Sequence, residues 1–161
     1  MAEVGYLYLT DVTDGGKWVK GDCEETKWKD WIQVQALEHT VSLGTDPQTG
    51  QTTTEATYSP FAITKPMDEA SPLIHLALSK KHEVKVKIQF SRARRGKPEI
   101  WYEITLDDAR IVSVRTFKPP AYEGATVPDL EYVEFSYRRI TWNHLIENKM
   151  AYFDWREKSE K

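Results

Sequence analysis

The feature that most constrains this chain is a stretch in which apolar and polar residues alternate strictly. Residues 83–90 read EVKVKIQF, and their apolar side chains fall at every second position. Such alternation places them on one face of a β-strand, with the lysines on the other. A basic turn around Gly96 follows, and a second alternating run covers residues 100–106. Two such runs joined by a short turn predict a β-hairpin with one face against a core.

Further strand signals lie on both sides of this hairpin. Strands are predicted at residues 4–9, 31–42, 110–117 and 131–142. Asp107 and Asp108 are expected to end the second strand of the hairpin. The apolar phase of the last strand slips at Arg138 and Arg139, which indicates a β-bulge. Many short strands at close spacing predict a β-barrel or a sandwich.

One substantial helix is predicted, at the end of the segment 63–79, which reads ITKPMDEASPLIHLALS. Ser71 precedes Pro72, and this pair is typical of a helix start: the Ser oxygen can accept a backbone N–H, and proline is tolerated at the first helical position. The helical spacing predicts a core side made of Leu73, Leu76 and Ala77. The rim of the helix is expected to carry Met67, His75 and Lys80.

A polar segment stands out between the second strand and the helix. Residues 44–54 read GTDPQTGQTTT and contain almost no apolar side chain. A segment of this composition is expected to project from the core as a loop or an extended hairpin. The overall expectation is a mainly β fold: a compact β-barrel of two packed antiparallel sheets, with one short flanking helix and one long extended loop. We expect a single domain over residues 1–161.

Composition excludes several classes of function. The formal net charge of -3 gives no general attraction to nucleic acid or to an anionic membrane. No apolar run approaches the roughly 18 residues of a membrane span, and residues 1–10 lack the regions of a signal peptide, so synthesis in the cytosol and no membrane insertion are expected. The single Cys23 cannot form an intramolecular disulfide. Six Trp and eight Tyr favour interfaces and therefore oligomerisation.

No constellation of catalytic residues is recognisable. The four histidines are too scattered for a metal site, and neither a phosphate loop nor a nucleophile motif is present. Two alternatives remain open. The acid pairs Glu24/Glu25 and Asp107/Asp108 could serve a small β-barrel hydrolase. The basic turn at residues 92–97, next to Trp101 and Tyr102, could serve a nucleic-acid-binding barrel. We predict no enzyme activity, no cofactor and no nucleic-acid partner.

Several segments resemble one known family when taken together. They are EHTVSLGTDPQTGQ, PFAITKPMDEASPLIHLAL, VKIQF followed by RRGK, YEITLDDARI and YRRITWNH. In this order they span residues 38–144 and are similar to the haemolysin-coregulated protein (Hcp) family, the tube protein of bacterial type VI secretion. Residues 15–30 and the aromatic C-terminus depart from the family pattern.

The resemblance implies a fold like that of phage tail-tube proteins, in a homohexameric ring that stacks into a tube. The implied partners are the chain itself, a spike protein of the valine-glycine repeat type, a contractile sheath and secreted effectors carried in the lumen. The implied location is the bacterial cytoplasm, followed by secretion into the extracellular space or a target cell without a cleavable signal peptide.

The resemblance also suggests which residues serve assembly. The ring-stacking loop is expected to comprise Gly44, Thr45, Asp46, Pro47, Gln48, Thr49, Gly50 and Gln51. The helix segment is expected to contribute subunit contacts through Met67, Ser71, Pro72, His75 and Lys80.

Overall fold

The computed structural model describes residues 3–122, 124 and 127–159. The strands are β1 (Gly5–Asp11), β2 (Lys17–Val19), β3 (Ile32–Val34), β4 (Ala36–Glu38), β5 (Val41–Ser42), β6 (Thr57–Tyr58), β7 (Phe61–Pro66), β8 (Val84–Arg94), β9 (Lys97–Phe117), β10 (Leu130–His144) and β11 (Lys149–Asp154). The helices are α1 (Ser71–Ser79), α2 (Trp155–Ser159) and a 3-10 helix at Thr26–Trp28. Neither α-helix in these ranges is long and apolar enough to cross a membrane.

Nine of the strands in the described residues form one antiparallel sheet. Its order is β2-β1-β8-β9-β10-β7-β4, with β3 also paired to β1 and β11 to β10. The consecutive strands β3 and β4 pair with β1 and β7, so this short stretch of chain bridges two distant strands of the sheet. Strands β5 and β6 pair separately. The predicted fold class, mainly β with antiparallel sheets and few helices, is confirmed. Over the described residues the large sheet is not closed into the predicted barrel, because its strand order ends at β2 on one side and at β4 on the other.

The core lies on the inner face of the large sheet, where α1 packs against β9. The predicted inner face of β8 is confirmed, because Val84, Val86 and Ile88 are fully buried. Matching residues of β1, β9 and β10 complete the core, among them Leu7, Leu9, Leu106, Val133 and Phe135. Full burial of each such side chain stabilises the fold by about 1.5–3 kcal/mol.

Two strand boundaries predicted from sequence are wrong. Residues 31–42 form β3, β4 and β5 instead of one strand, because the chain bends at Gln35 and passes from β1 to β7. Asp107 and Asp108 do not end a strand, since β9 runs on through them to Phe117. Asp108 has a φ of +49°, and the register with β8 shifts between Val84 and Val86. The two acids therefore mark an irregularity inside one long strand.

The alternation of buried and more exposed residues along β10 is interrupted at Arg138 and Arg139, as predicted. Tyr137 and Ile140 are both buried, with the two half-buried arginines between them. The shift in register with β9 lies earlier in the strand, between Glu134 and Phe135, so the predicted position of the β-bulge is wrong.

Helix α1 begins near the predicted position, and the predicted core side is correct in part. Ala77 is buried and Leu73 packs partly buried against the core, as predicted. The N-cap of the helix is Ala70, and the cap has no side-chain hydrogen bond, so the predicted capping role of Ser71 is wrong. Ile74 and Ala77 are buried, whereas Leu76 is 43% exposed and does not belong to the core side. The buried residues Ala70, Ile74 and Ala77 are spaced by four and three positions, so they lie on one face of the helix.

Candidate assembly surfaces

Residues 41–58 form an extended hairpin, here called the arm, which includes the predicted stacking loop. Its base is the pair β5–β6, and a bridge between Thr45 and Thr52 continues the pairing outward. The backbone N–H of Thr53 donates to the Gly44 carbonyl at 2.9 Å, and that of Asp46 donates to the Gln51 carbonyl at 2.7 Å. The arm is therefore an ordered hairpin, as one of the two sequence alternatives predicted.

The turn at the tip of the arm depends on Asp46 and Gly50. The Asp46 side chain accepts the backbone N–H of Gln48 at 2.8 Å, which is an Asx-type turn. The Asp46 carbonyl accepts the N–H of Gly50 at 2.8 Å. Gly50 has a φ of +73°, a conformation that glycine adopts without steric cost. Local chemistry thus orders the tip before any partner binds.

The arm is accessible along most of its length. Of the eight predicted stacking residues, all except the half-buried Asp46 are exposed. Two apolar side chains at the base of the arm are also exposed, Val41 at 45% and Leu43 at 48%. The structure therefore brings the predicted stacking residues together on one projecting element, beside an apolar pair that is open to a partner.

A polar relay anchors the base of the arm to β10 of the large sheet. The Tyr137 hydroxyl donates to the Ser59 carbonyl at 3.0 Å, so its oxygen is free to accept the Nε2–H of His39 at 2.6 Å. Burial raises the pKa of Tyr137 to about 12. Burial lowers the pKa of His39, because an imidazolium would be poorly solvated there. No role was predicted for Tyr137 or His39.

The C-terminal segment also packs on the arm. The Tyr58 ring stacks on Phe153 of β11 with centroids 3.8 Å apart, and Trp155 contacts both rings edge-on. Trp155 remains 39% exposed. Strand β11 and helix α2 were not predicted, and their aromatic residues serve as a support for the arm.

The predicted contact residues of the helix segment divide by burial. Met67, Pro72, His75 and Lys80 are exposed and are joined by the exposed Leu76. Ser71 is instead buried within the protomer, where its hydroxyl donates to Glu131. An exposed surface therefore runs from the turn at Met67 along the outer side of α1.

A buried charged cluster lies beneath this surface and was not predicted. Lys65 of β7 and Glu131 of β10 are cross-strand partners, and both side chains are 0% exposed. The Lys65 Nζ lies 2.9 Å from Asp68 Oδ1 and 3.5 Å from Glu131 Oε2. It also donates to the Pro66 carbonyl at 3.0 Å. The cluster ties β7, β10 and the turn before α1 together.

A sequence signal for this cluster existed. In β7, Phe61 and Ile63 point inward, and Lys65 continues their phase. In β10, Val133 and Phe135 point inward, and Glu131 shares that phase. Two opposite charges at inward positions of neighbouring strands are typical of a buried ion pair. Their pairing could be recognised only once the register of the strands was known.

Several of the residues proposed for the alternative functions form ion pairs within the protomer. Asp107 lies 3.5 Å from Lys85, and Asp108 lies 3.6 Å from Arg138. In the basic turn, Glu99 is paired with Arg94 at 3.3 Å and with Arg92 at 3.7 Å. Within the described part of the chain, no three His, Cys, Asp or Glu residues are placed to hold a metal ion.

Comparisons with known proteins agree on one family. A family model described as "Type VI secretion system effector, Hcp" matches residues 6–144. The major exported protein of Pseudomonas aeruginosa is 34% identical over 167 residues, which cover 97% of this chain and 97% of that protein.

Solved structures give the same result. A double tryptophan mutant of the Hcp1 protein from E. coli EAEC 042 superposes with a TM-score of 0.82 at 28% identity, covering 96% of this chain and 99% of that one. The secreted protein Hcp3 from Pseudomonas aeruginosa superposes with a TM-score of 0.76 at 30% identity, covering 96% and 99%.

Proposed function

Because the chain belongs to the Hcp family of type VI secretion proteins, we propose that it is a structural component of the secretion tube. In this proposal residues 1–161 form one domain, and six copies form a ring. Rings then stack into a tube whose lumen carries effectors and which is itself secreted. The chain has no enzymatic role and needs no cofactor.

The proposed partners follow from this role. The chain binds other copies of itself within and between rings, a spike protein of the valine-glycine repeat type at the tip, a contractile sheath around the tube and effectors inside it. The protein is made in the bacterial cytoplasm and leaves by type VI secretion into the extracellular space or a target cell. A ring of identical subunits requires a heterologous interface, in which two different patches of the protomer meet.

The observation that carries the proposal is the ordered, exposed arm. A hairpin that is already held by its own hydrogen bonds loses little conformational entropy when a neighbour binds it. Its base is fixed by the relay through Tyr137 and by the stacking of Tyr58 on Phe153. The exposed Val41 and Leu43 supply apolar surface for burial in an interface. We assign the arm to contacts between stacked rings.

Shortening the arm tests this assignment. Replacing residues 47–52 with two glycines should leave the β-type circular dichroism and the ring intact, because these residues are exposed and lie outside the core. Stacking of rings into tubes should weaken strongly, as seen by negative-stain imaging. The point variant Leu43→Ser should also weaken the stacking of rings into tubes. Unchanged tube formation by the shortened variant would contradict the role of the arm.

Two matched controls accompany this experiment. Val12→Ser changes a side chain of similar exposure, 42%, that lies outside the arm. The double variant Arg94→Ala with Arg95→Ala alters another exposed hairpin tip, that between β8 and β9. Both should stack like the unmodified protein. Salt-sensitive nucleic-acid binding that is lost in the arginine variant would instead support the nucleic-acid alternative.

A further inference from the structure

The buried cluster beneath α1 contains more acid than base. The side chains of Lys65, Asp68 and Glu131 are 0%, 3% and 0% exposed. If both carboxyl groups were ionised, one ammonium would face two carboxylates, and the cluster would carry one surplus negative charge. A buried charge without a partner is strongly unfavourable, and such groups commonly take up a proton instead.

The hydrogen bonds of the cluster show the same imbalance. The Lys65 ammonium directs its hydrogens at the Pro66 carbonyl, at Asp68 and at the pair formed by Ser71 and Glu131. Glu131 Oε2 also accepts the Ser71 hydroxyl. Glu131 Oε1 is buried and has no hydrogen-bond partner among the described residues. The cluster therefore has too few donors to satisfy two ionised carboxyl groups.

We propose that this cluster holds one proton at neutral pH, carried by the Asp68 carboxyl, and that the cluster in this state latches the turn before α1 onto β7 and β10. The carboxyls together with Lys65 then form a neutral unit. The same turn carries Met67 and leads into Pro72 and His75, so the latch positions the exposed surface along α1. This last consequence rests on the proposed function, because it concerns ring contacts.

The surroundings strengthen the preference for a proton. The Asp22 carboxylate accepts the backbone N–H of Glu69 at 3.3 Å and adds negative charge beside Asp68. On the other side, the Asp129 carbonyl accepts the Met67 N–H at 3.0 Å, while the Asp129 side chain pairs with Lys118 at 3.1 Å. Among the groups on these elements, Lys65 alone contributes a cation that is buried in the cluster.

The direction of the pH dependence follows from the shift at Asp68. Burial raises the pKa of Asp68, and Lys65 opposes the shift without cancelling it. The folded protein therefore binds this proton more tightly than the unfolded chain does. The stabilisation from this site is full below the unfolded pKa and is lost as the pH rises through the folded pKa. Alkaline conditions should loosen the latch, and acid should tighten it.

Substitutions that change only the charge test the proton site. Asp68→Asn keeps an oxygen that can accept from Lys65 and from the Ala70 N–H, and it leaves one carboxylate opposite one ammonium. We expect its melting temperature at pH 8 to equal or exceed that of the unmodified protein, with a flatter dependence on pH. Lys65→Met leaves two buried carboxylates and should melt at a much lower temperature at pH 8, with partial recovery at pH 5. Equal losses in both variants at pH 8 would overturn the proposal.

A direct measurement covers the case in which Lys65→Met fails to fold. Infrared difference spectra of the unmodified protein at pH 7 should contain the carbonyl band of a protonated carboxylic acid. Asp68→Asn should lose this band, and the control Asp129→Asn, at an exposed carboxylate, should retain it. Absence of the band from the unmodified protein at pH 7 would contradict the proton site, whatever the behaviour of the variants.

Assembly separates this inference from the proposed function. If the unmodified protein forms no rings at any pH, the proposed function fails, while the infrared result still decides the proton site. If rings form, they are titrated from neutral to alkaline pH. The rings of the unmodified protein should dissociate at a lower pH than the rings of Asp68→Asn. Identical alkaline midpoints for the two proteins would contradict the role of the latch in positioning the ring contact.

Discussion

Single residues decide how the arm of this protein is attached to its large sheet. Tyr137 is an inward residue of β10, and the alternation of the strand accounts for its burial. Its hydroxyl forms hydrogen bonds with the Ser59 carbonyl and with the ring of His39. These two residues lie at the two ends of the arm, so the hydroxyl connects them. The His39 ring also packs against Phe61 with centroids 5.4 Å apart. The attachment of the arm therefore depends on a hydroxyl group within an apolar setting.

Removal of this hydroxyl gives a prediction at the residue scale. Tyr137→Phe should lower the free energy of unfolding by about 1–3 kcal/mol, because the Ser59 carbonyl and the His39 ring lose a buried partner. Urea denaturation at pH 7 measures this loss. Tyr132→Phe, at a half-buried tyrosine on the same strand, is the control and should change the free energy by less than about 0.5 kcal/mol. Equal effects in the two variants would show that the relay contributes nothing.

At the scale of elements, a strand was predictable where its apolar and polar residues alternate. An element was not predictable where its limits depend on the strands with which it pairs. The inward face of β8 follows from alternation alone, and the structure agrees at Val84, Val86 and Ile88. The break between β3 and β4 does not follow from alternation, because Gln35 lies within a continuous period-2 pattern and bends only to carry the chain from β1 to β7. Helix α1 is an intermediate case, since its position was predictable and Leu73 and Ala77 were correctly assigned to the core side, whereas Leu76 was not.

The rotation of α1 gives a prediction at this scale. Ile74→Ala should lower the free energy of unfolding by about 2–5 kcal/mol, because Ile74 is 1% exposed in the core. Leu76→Ala should lower it by less than about 1 kcal/mol, because that side chain is already largely in water. Chemical denaturation of both variants measures the difference. If Leu76→Ala proved the more damaging, the sequence-based choice of the core side would be restored.

At the scale of the whole molecule, the exposed apolar residues lie on distinct elements. Val41 and Leu43 lie on the arm, Met67 and Leu76 lie at α1, and Met150 and Tyr152 lie on β11. Apolar patches on separate elements suit a protomer that meets neighbours through different surfaces, which is what a closed ring of identical subunits requires. We infer that these patches are covered in the assembly.

This inference predicts the mass of the particle in solution. Light scattering at micromolar protein concentration should report six chain masses, because the buried apolar area at each interface offsets the entropy lost on association. Substitution of Leu76 by Ser should shift the particle toward smaller masses, and Val12→Ser should not. A stable monomer of the unmodified protein under these conditions would contradict the ring.

Sequence alone determined the mainly β class, the position of the helix, the projection of the arm and membership of the family, because each depends on local alternation, turn chemistry or motifs in fixed order. The polar loop that contains the eight residues proposed for stacking could likewise be recognised from its composition. Only the tertiary structure decided that Lys65 and Glu131 meet beneath α1, that Tyr137 anchors the arm, and that Ile74 replaces Leu76 in the core. These features depend on strand register and helix rotation, which are set by contacts between residues far apart in the chain.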